Sequence, residues 1–192
     1  DIAVIAPPNF QVLARPDVET MYLEAIRHSP LPVGIYDRGP HGPVRVPDAV
    51  LRTVYMQDKV VLVKDSSGDP ARRKIALACR SKRPELRLLT GCEFDCAEYL
   101  EAGYDGLLLG GGVFNGHLAG MILEAAQAGD FARAHKLQQR MNRMMFAVYG
   151  GRKLKCWLSG EKKLLVEMGL FGTWKNYPDF PLTDSCTKAI AR

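Results

Sequence analysis

The stretch Val60-Val61-Leu62-Val63-Lys64-Asp65-Ser66-Ser67-Gly68-Asp69 decides how the rest of the chain is interpreted. Four apolar, mostly β-branched residues in a row predict a strand that is buried on both faces. The polar residues after them predict a loop and place Lys64 at the carboxyl end of the strand. Parallel α/β sheets carry their chemistry at that end, so Lys64 is the first candidate functional residue. The alternative is a lysine that only starts a loop, with its ammonium group in water.

Outward from this strand, strands and helices alternate along the chain. Apolar runs predict strands at 2–6, 31–37, 59–64, 86–89 and 104–109. Helices are predicted at 18–28, 48–55, 70–81, 94–102, 115–128, 130–148 and 157–168, and a last one begins near Asp184. One strand and one helix in roughly every 25–30 residues predict parallel βαβ units. Five such strands fit either an open doubly wound sheet or part of an eight-stranded barrel, and periodicity does not choose between the two.

Polar residues at the predicted helix starts indicate where the helices are capped. Asp17 is the predicted cap of the helix at 18–28, and Asp69 and Pro70 are predicted to start the helix at 70–81. Gly129 and Asp130 form a stop-and-cap signal between two later helices. Asp184 is the predicted cap of the last helix.

Composition and charge exclude several classes of protein. The 192 residues include 26 Lys+Arg and 21 Asp+Glu, a net charge of +5 that is spread along the chain. No nucleic-acid motif accompanies the densest basic cluster, Arg152 to Lys163, so no nucleic-acid partner is expected. No apolar run approaches the roughly 18 residues of a membrane helix, and no signal peptide is expected before Asp1. The five cysteines lack zinc-type spacing, so we expect free thiols, no metal site and a cytoplasmic location.

Several segments carry a resemblance to a known family. They are Leu31-Pro32-Val33-Gly34-Ile35-Tyr36-Asp37, the segment Val60–Asp69, Leu89-Thr90-Gly91 and Ala102–Gly106, together with the C-terminal helices. In this order they resemble the dihydrodipicolinate synthase / N-acetylneuraminate lyase family. The resemblance implies an α/β fold, a (β/α)₈ TIM barrel, of which this chain has strands four to eight plus the C-terminal helices. Strands one to three have no counterpart here, and we expect a fragment of a longer protein.

The resemblance also implies a division of the chain and a chemistry. Residues 1–112 are expected to form the C-terminal part of the barrel, and residues 113–192 its last helix and a helical extension. Members of the family are class I Schiff-base aldolases and dehydratases, so Lys64 is expected to form an imine with a 2-oxo acid. Tyr36 is expected to relay protons. The expected substrate-binding residues are Glu93, Ser66, Gly91 and Gly110.

Imine formation requires a neutral amine. Only about 0.1% of an ordinary lysine is neutral near pH 7.4, and burial among apolar barrel walls favours the neutral form. No metal or organic cofactor is implied by this chemistry. The family implies a homodimer or homotetramer.

Some positions keep a second interpretation. Tyr36 is also suited to a buried core, and Glu93 to the entry of a helix, near its dipole. Ser66 and Ser67 are also suited to capping the next helix. The triple glycine Gly110-Gly111-Gly112 resembles a phosphate cradle but lacks the lysine of a P-loop, so a tight turn or a close ligand approach is favoured.

Two departures from the family pattern restrict the expected substrate. The synthases carry paired tyrosines after strand four, whereas this chain has Pro8-Asn9-Phe10, and Phe10 cannot relay a proton. The loop after Tyr36 is slightly shorter than in the synthases, and only Arg38 and His41 are candidates for their carboxylate-binding arginine. These departures argue against lysine-pathway synthesis and favour another 2-oxo acid, such as a 2-keto-3-deoxy sugar acid.

Two other functions stay open. One is a non-catalytic binding or regulatory paralogue on the same scaffold. The other, weaker, is an open α/β phosphate-binding enzyme that uses the triple glycine.

Overall fold

The computed structural model describes residues 1–7, 18–42, 44–177 and 179–191. They fold as two compact units, Asp1–Leu109 and Gly110–Arg192. The functional division after residue 112 stays a prediction. The predicted cap at Asp17 and the departure at Phe10 lie outside the described residues.

The first unit alternates strands and helices as the sequence predicts. Its strands are β1 (Ala3–Ile5), β2 (Val33–Asp37), β3 (Val60–Asp65), β4 (Arg87–Thr90) and β5 (Gly106–Leu107). Its helices are α1 (Val18–His28), α2 (Asp48–Tyr55), α3 (Pro70–Lys82) and α4 (Cys96–Glu101), with 3₁₀ turns at Gly39–His41 and Glu93–Asp95.

The sheet topology settles the choice between barrel and open sheet. The five strands pair in parallel in the order β1-β2-β3-β4-β5, the order of the sequence. A doubly wound sheet reverses its strand order at a switch point and carries helices on both faces. The core instead packs Val33, Ile35, Val63 and Leu88 from one face of the sheet against α1, α2 and α3. This is the geometry of a (β/α)₈ barrel, in which the chain provides strands four to eight.

The opposite face, which corresponds to the barrel interior, is partly open among the described residues. Ile2 and Val4 are 44% and 57% exposed there. Leu62 and Lys64, on the same face of β3, are half-buried, whereas Val63 on the helix side is fully buried. The prediction that β3 is buried on both faces is therefore wrong for this inner face.

Helix α3 begins where the sequence predicts. Asp69 accepts a hydrogen bond from the Ala71 backbone N–H at 2.8 Å, and Pro70 occupies the first turn. Proline suits that turn because its missing N–H has no intrahelical partner there. The cap is Asp69, so the alternative that Ser66 or Ser67 caps this helix is wrong.

The second unit is helical in its described residues, with α5 (Gly112–Gln127), α6 (Phe131–Val148), α7 (Trp157–Glu167) and α8 (Asp184–Ile190). Gly129 has φ 75°, and the Asp130 side chain caps α6, as predicted. The cap of α8 is Thr183, whose side chain accepts from the Cys186 N–H at 3.3 Å, so the assignment of this cap to Asp184 is wrong by one residue. No helix in the described part of the chain is long and apolar enough to cross a membrane.

Candidate active site

The candidate active site is built at the carboxyl ends of β2, β3 and β4. Strand register aligns Tyr36 with Lys64 and Lys64 with Leu89. Residues in register on neighbouring strands point to the same face, and for these three it is the inner face. The Lys64 Nζ lies 4.2 Å from the centre of the Tyr36 ring, over its face. Both residues are half-buried.

Gly91 and Ser66 pack closely against this lysine. A Cβ at Gly91 would lie 2.0 Å from the Ser66 Oγ and 3.0 Å from the Lys64 Cε. Both distances are shorter than an ordinary van der Waals contact. The first turn after β4 therefore approaches the first turn after β3 only because residue 91 has no side chain. The structure thus brings together Tyr36, Lys64, Ser66 and Gly91.

A row of three polar residues turns the chain at the ends of these strands. Asp37, Asp65 and Thr90 are also in register, one position after the Tyr36–Lys64–Leu89 row. Each side chain accepts a hydrogen bond from the backbone N–H two residues later, with distances of 2.8 Å, 2.8 Å and 3.0 Å for Gly39, Ser67 and Cys92. Such Asx- and ST-type turns fix the direction in which the chain leaves the strand. Because side chains alternate along a strand, this row faces the helices while the lysine and the tyrosine face inward.

Asp37 anchors the end of β2 in a buried ion pair. Its carboxylate accepts from the Arg72 Nη1 at 2.7 Å and from the Tyr55 hydroxyl at 3.1 Å. The other guanidinium nitrogen, Nη2, donates to the Val46 carbonyl oxygen at 2.6 Å. Burial, and then the charge of Asp37, raise the pKa of Tyr55 well above its ordinary value, so the phenol is a neutral donor. The charge of Asp37 is therefore matched by a guanidinium and further solvated by a phenol.

Asp65 anchors the end of β3, and no cation pairs with it among the residues that the structure describes. It accepts from the Ser67 N–H at 2.8 Å, the Ser67 hydroxyl at 2.7 Å and the Tyr104 hydroxyl at 2.7 Å. Burial raises the pKa of Asp65, and these donors oppose the rise. Burial, followed by the charge of Asp65, also raises the pKa of Tyr104 far above its ordinary value. The residue next to Lys64 is thus fixed by three donors and is sensitive to the loss of any of them.

The remaining sequence candidates are placed differently. Glu93 is half-buried and begins the 3₁₀ turn that leads into α4, two residues after Gly91. That position suits both of its interpretations, helix entry and substrate binding. Gly110 belongs to the second unit, so its expected role rests on the sequence. Arg38 precedes the 3₁₀ turn after β2, and the side chain of His41 lies outside the described residues.

Sequence reasoning missed the two aspartates and their partners. A signal was present, because Asp37 directly follows Tyr36 and Asp65 directly follows Lys64. A carboxylate at the last position of a buried strand needs donors nearby. Two of those donors could not be predicted from the sequence, because Arg72 lies 35 residues from Asp37 and Tyr104 lies 39 residues from Asp65 along the chain.

Comparisons with known proteins agree with this geometry. A model of the dihydrodipicolinate synthetase family matches residues 1–185. No curated protein is significantly similar in sequence.

Solved structures share the fold at low sequence identity. Dihydrodipicolinate synthase from Bacteroides thetaiotaomicron aligns with a TM-score of 0.81 and 23% identity, over 100% of this chain and 66% of that one. N-acetylneuraminate lyase from Fusobacterium nucleatum aligns with a TM-score of 0.78 and 16% identity, over 99% and 63%. YagE from E. coli K12, a family member solved with pyruvate, aligns with a TM-score of 0.80 and 18% identity, over 99% and 64%. The chain therefore spans slightly less than two thirds of the length of these proteins.

Proposed function

Because the chain belongs to the dihydrodipicolinate synthetase family, we propose that it is the part of a Schiff-base-forming lyase that carries the reactive lysine. Its substrate is a 2-oxo acid, and its reaction is an aldol cleavage or condensation, or a dehydration. Lys64 forms the imine and Tyr36 relays protons.

One observation carries this proposal. The Lys64 Nζ lies 4.2 Å from the centre of the Tyr36 ring, at the carboxyl end of parallel strands. A primary amine, a phenol ring and the Ser66 side chain next to Gly91 thus lie close together on the inner face. A carbonyl compound that binds there meets the amine and a proton relay together.

The residues then have separable tasks in imine formation. The neutral Lys64 amine attacks the C2 carbonyl carbon of the substrate and forms a carbinolamine. The Tyr36 hydroxyl delivers a proton to the departing hydroxyl group, which leaves as water. The protonated imine that remains withdraws electrons from C3, so that a C3–H or C3–C4 bond breaks, or a β-hydroxyl group leaves. The turns at Asp37 and Asp65 hold the two strand ends in register throughout.

Pyruvate and its 3-substituted derivatives are the proposed substrate class. The YagE structure contains pyruvate, and pyruvate is the smallest 2-oxo acid that has a C3–H bond to activate. Glu93, half-buried after the Gly91 turn, is proposed to accept hydrogen bonds from substrate hydroxyl groups, which favours a 2-keto-3-deoxy sugar acid. Gly110 is proposed to border the substrate.

The cellular location and the oligomeric state of the enzyme are also proposals. A cytoplasmic location and a homodimer or homotetramer fit the enzyme family. Light scattering on a sizing column measures the oligomeric state.

Reductive trapping tests the central step. The protein is incubated with pyruvate and borohydride, and the modified residue is located by peptide mass spectrometry. We expect one reduced pyruvyl group, on Lys64. Lys64→Arg keeps a long basic side chain but cannot form an imine, and it is expected to abolish the label.

A matched control lies at the other end of the same strand. Lys59, just before β3, donates to the backbone oxygens of Arg27 and Ser29 at 3.0 Å and 2.9 Å, away from the site. Lys59→Arg is therefore expected to leave the label unchanged. An unlabelled Lys64 in folded protein, or a label that persists in Lys64→Arg, contradicts the proposal.

A further inference from the structure

Two cysteines of the second unit meet in one buried cluster. Cys156 directly precedes α7, and Cys186 lies in α8. They are 0% and 2% exposed, and both thiols are free. They come from segments 30 residues apart in sequence, so their meeting is a product of the fold.

Thr183 connects the two cysteines. Its N–H lies 3.3 Å from the Cys156 Sγ, and its hydroxyl lies 3.5 Å from the same sulfur. The same hydroxyl accepts from the Cys186 N–H at 3.3 Å as the cap of α8. The N-terminus of α8 thus packs directly against the Cys156 thiol.

Two glycines show how closely the surrounding backbone approaches. A Cβ at Gly150 would lie 2.6 Å from the Cys156 Sγ. A Cβ at Gly160 would lie 3.3 Å from the Cys186 Sγ, which itself donates to the Val148 carbonyl oxygen at 3.1 Å. Both sulfurs therefore occupy the same small space between the end of α6 and the start of α7. Burial, and then interaction with the Cys156 side chain, raise the pKa of Cys186 to about 12.

We propose that Cys156 and Cys186 form a reversible disulfide that links the start of α7 to α8. This modification site is independent of the proposed lyase function. The oxidant is a small-molecule disulfide such as glutathione disulfide. One cysteine thiolate attacks it and releases one glutathione thiolate, and the second cysteine attacks the mixed disulfide and releases the other. The two protein thiol protons pass to the two glutathione thiolates, so the balance is two protein thiols and one glutathione disulfide to one protein disulfide and two glutathiones.

Opening of α8 gates the reaction. Both thiols are inaccessible in the docked state, and burial keeps the Cys186 thiol protonated. Helix α8 has seven residues and one side-chain cap, so it is the element of this cluster that opens most readily. Opening exposes Cys186 and removes the burial that raises its pKa, after which it reacts with the oxidant. Cys156, which the same opening uncovers, then attacks the mixed disulfide, and α8 redocks after the glutathione has left.

The test is oxidation of the native protein by glutathione disulfide, followed by acid quenching, alkylation of the remaining thiols and digestion with trypsin without reduction. Trypsin places Cys156 in peptide 156–162 and Cys186 in peptide 176–188. We expect these two peptides to appear joined and to separate again after treatment with dithiothreitol. Hydrogen exchange at 184–190 is expected to slow by roughly tenfold or more in the oxidised protein, because the link removes the open state.

Cys186→Ser is expected to abolish the joined peptides. Cys79→Ser, which changes a buried cysteine of the first unit, is expected to leave them intact. The internal comparison is peptide 88–133, which contains both Cys92 and Cys96. The proposal is overturned if the folded wild-type protein, verified by circular dichroism, yields no joined peptides, or if the only disulfide found lies within peptide 88–133.

Discussion

Replacing Gly91 with alanine tests whether the turn after β4 positions the reactive lysine. The added Cβ would lie 2.0 Å from the Ser66 Oγ and 3.0 Å from the Lys64 Cε. The serine hydroxyl can rotate away, but the lysine stem must move by about 0.5 Å to restore an ordinary carbon–carbon contact. Overpacking of this kind costs about 1–3 kcal/mol of stability.

The expected loss of reactivity is larger than the loss of stability. A displaced lysine meets the substrate carbonyl in a poorer geometry, and misplacement on this scale lowers reaction rates by about 10–100-fold. The assay is the rate of pyruvate trapping at Lys64 under borohydride, with urea unfolding measured in parallel. Gly91→Ala is expected to remain folded and to label at least about tenfold more slowly.

Two further variants separate the steric effect from a general effect of alanine. Ser66→Gly combined with Gly91→Ala removes the contact with the serine but keeps the contact with Lys64, so it is expected to recover little of the stability and none of the labelling rate. Gly120→Ala in α5 has no neighbouring atom within 4 Å and is expected to raise stability by up to about 1 kcal/mol, with labelling unchanged. Wild-type labelling and stability in Gly91→Ala would refute the positioning argument.

Three more variants examine the tyrosine and the anchored strand ends. Tyr36→Phe keeps the ring under the amine but removes the hydroxyl, and it is expected to slow imine formation by about 10²–10⁴-fold in single-turnover trapping at unchanged stability; wild-type rates would exclude the relay. Arg72→Met leaves the buried Asp37 carboxylate without its cation and is expected to cost about 3–5 kcal/mol in urea unfolding. The neighbouring Arg73→Met breaks an ion pair with the half-exposed Glu98 and is expected to cost less than about 1 kcal/mol. Equal losses of stability in the two variants would contradict the argument that the Asp37–Arg72 pair is buried. Because burial raises the pKa of Asp65 in the folded state, its ionisation disfavours folding, and its contribution to stability falls as the pH rises from the ordinary carboxyl pKa through the raised one. Tyr104→Phe removes a donor to that carboxylate and is expected to deepen this fall in the free energy of unfolding by about 1.5–3 kcal/mol at neutral pH. The measurement is a series of urea titrations between about pH 4 and pH 8. A pH profile parallel to that of the wild-type protein would show that this hydrogen bond does not respond to ionisation of Asp65.

Much of the fold follows from local patterns. The apolar runs around Val33 and Val60 predict β2 and β3, and the Asp69-Pro70 and Gly129-Asp130 signals predict helix boundaries that the structure confirms. These patterns succeed because backbone geometry and terminal hydrogen bonds act within a few residues. The cap of α8 was misplaced by one residue because Thr183 and Asp184 are both good caps, and only the packed structure shows which side chain reaches the Cys186 N–H.

The choice of barrel over open sheet did not follow from periodicity. Both folds require the same alternation of strands and helices. Resemblance in the segments around Tyr36 and Lys64 indicated the barrel, and the strand order and one-sided helix packing then confirmed it. The same packing corrected the expectation for β3, since a run of valines does not reveal whether its second face is covered.

The sequence by itself determined that Tyr36 and Lys64 lie at the carboxyl ends of two consecutive predicted strands and that an aspartate follows each of them. Alternation along a strand then requires the first pair to face one side of the sheet and the aspartates the other. Only the tertiary structure decided that the amine lies over the phenol ring and that Gly91 lies against the lysine. It also decided that Arg72 and Tyr104 donate hydrogen bonds to the two aspartates. Those relations depend on the register between strands and on packing between residues distant in sequence, and no local pattern encodes either.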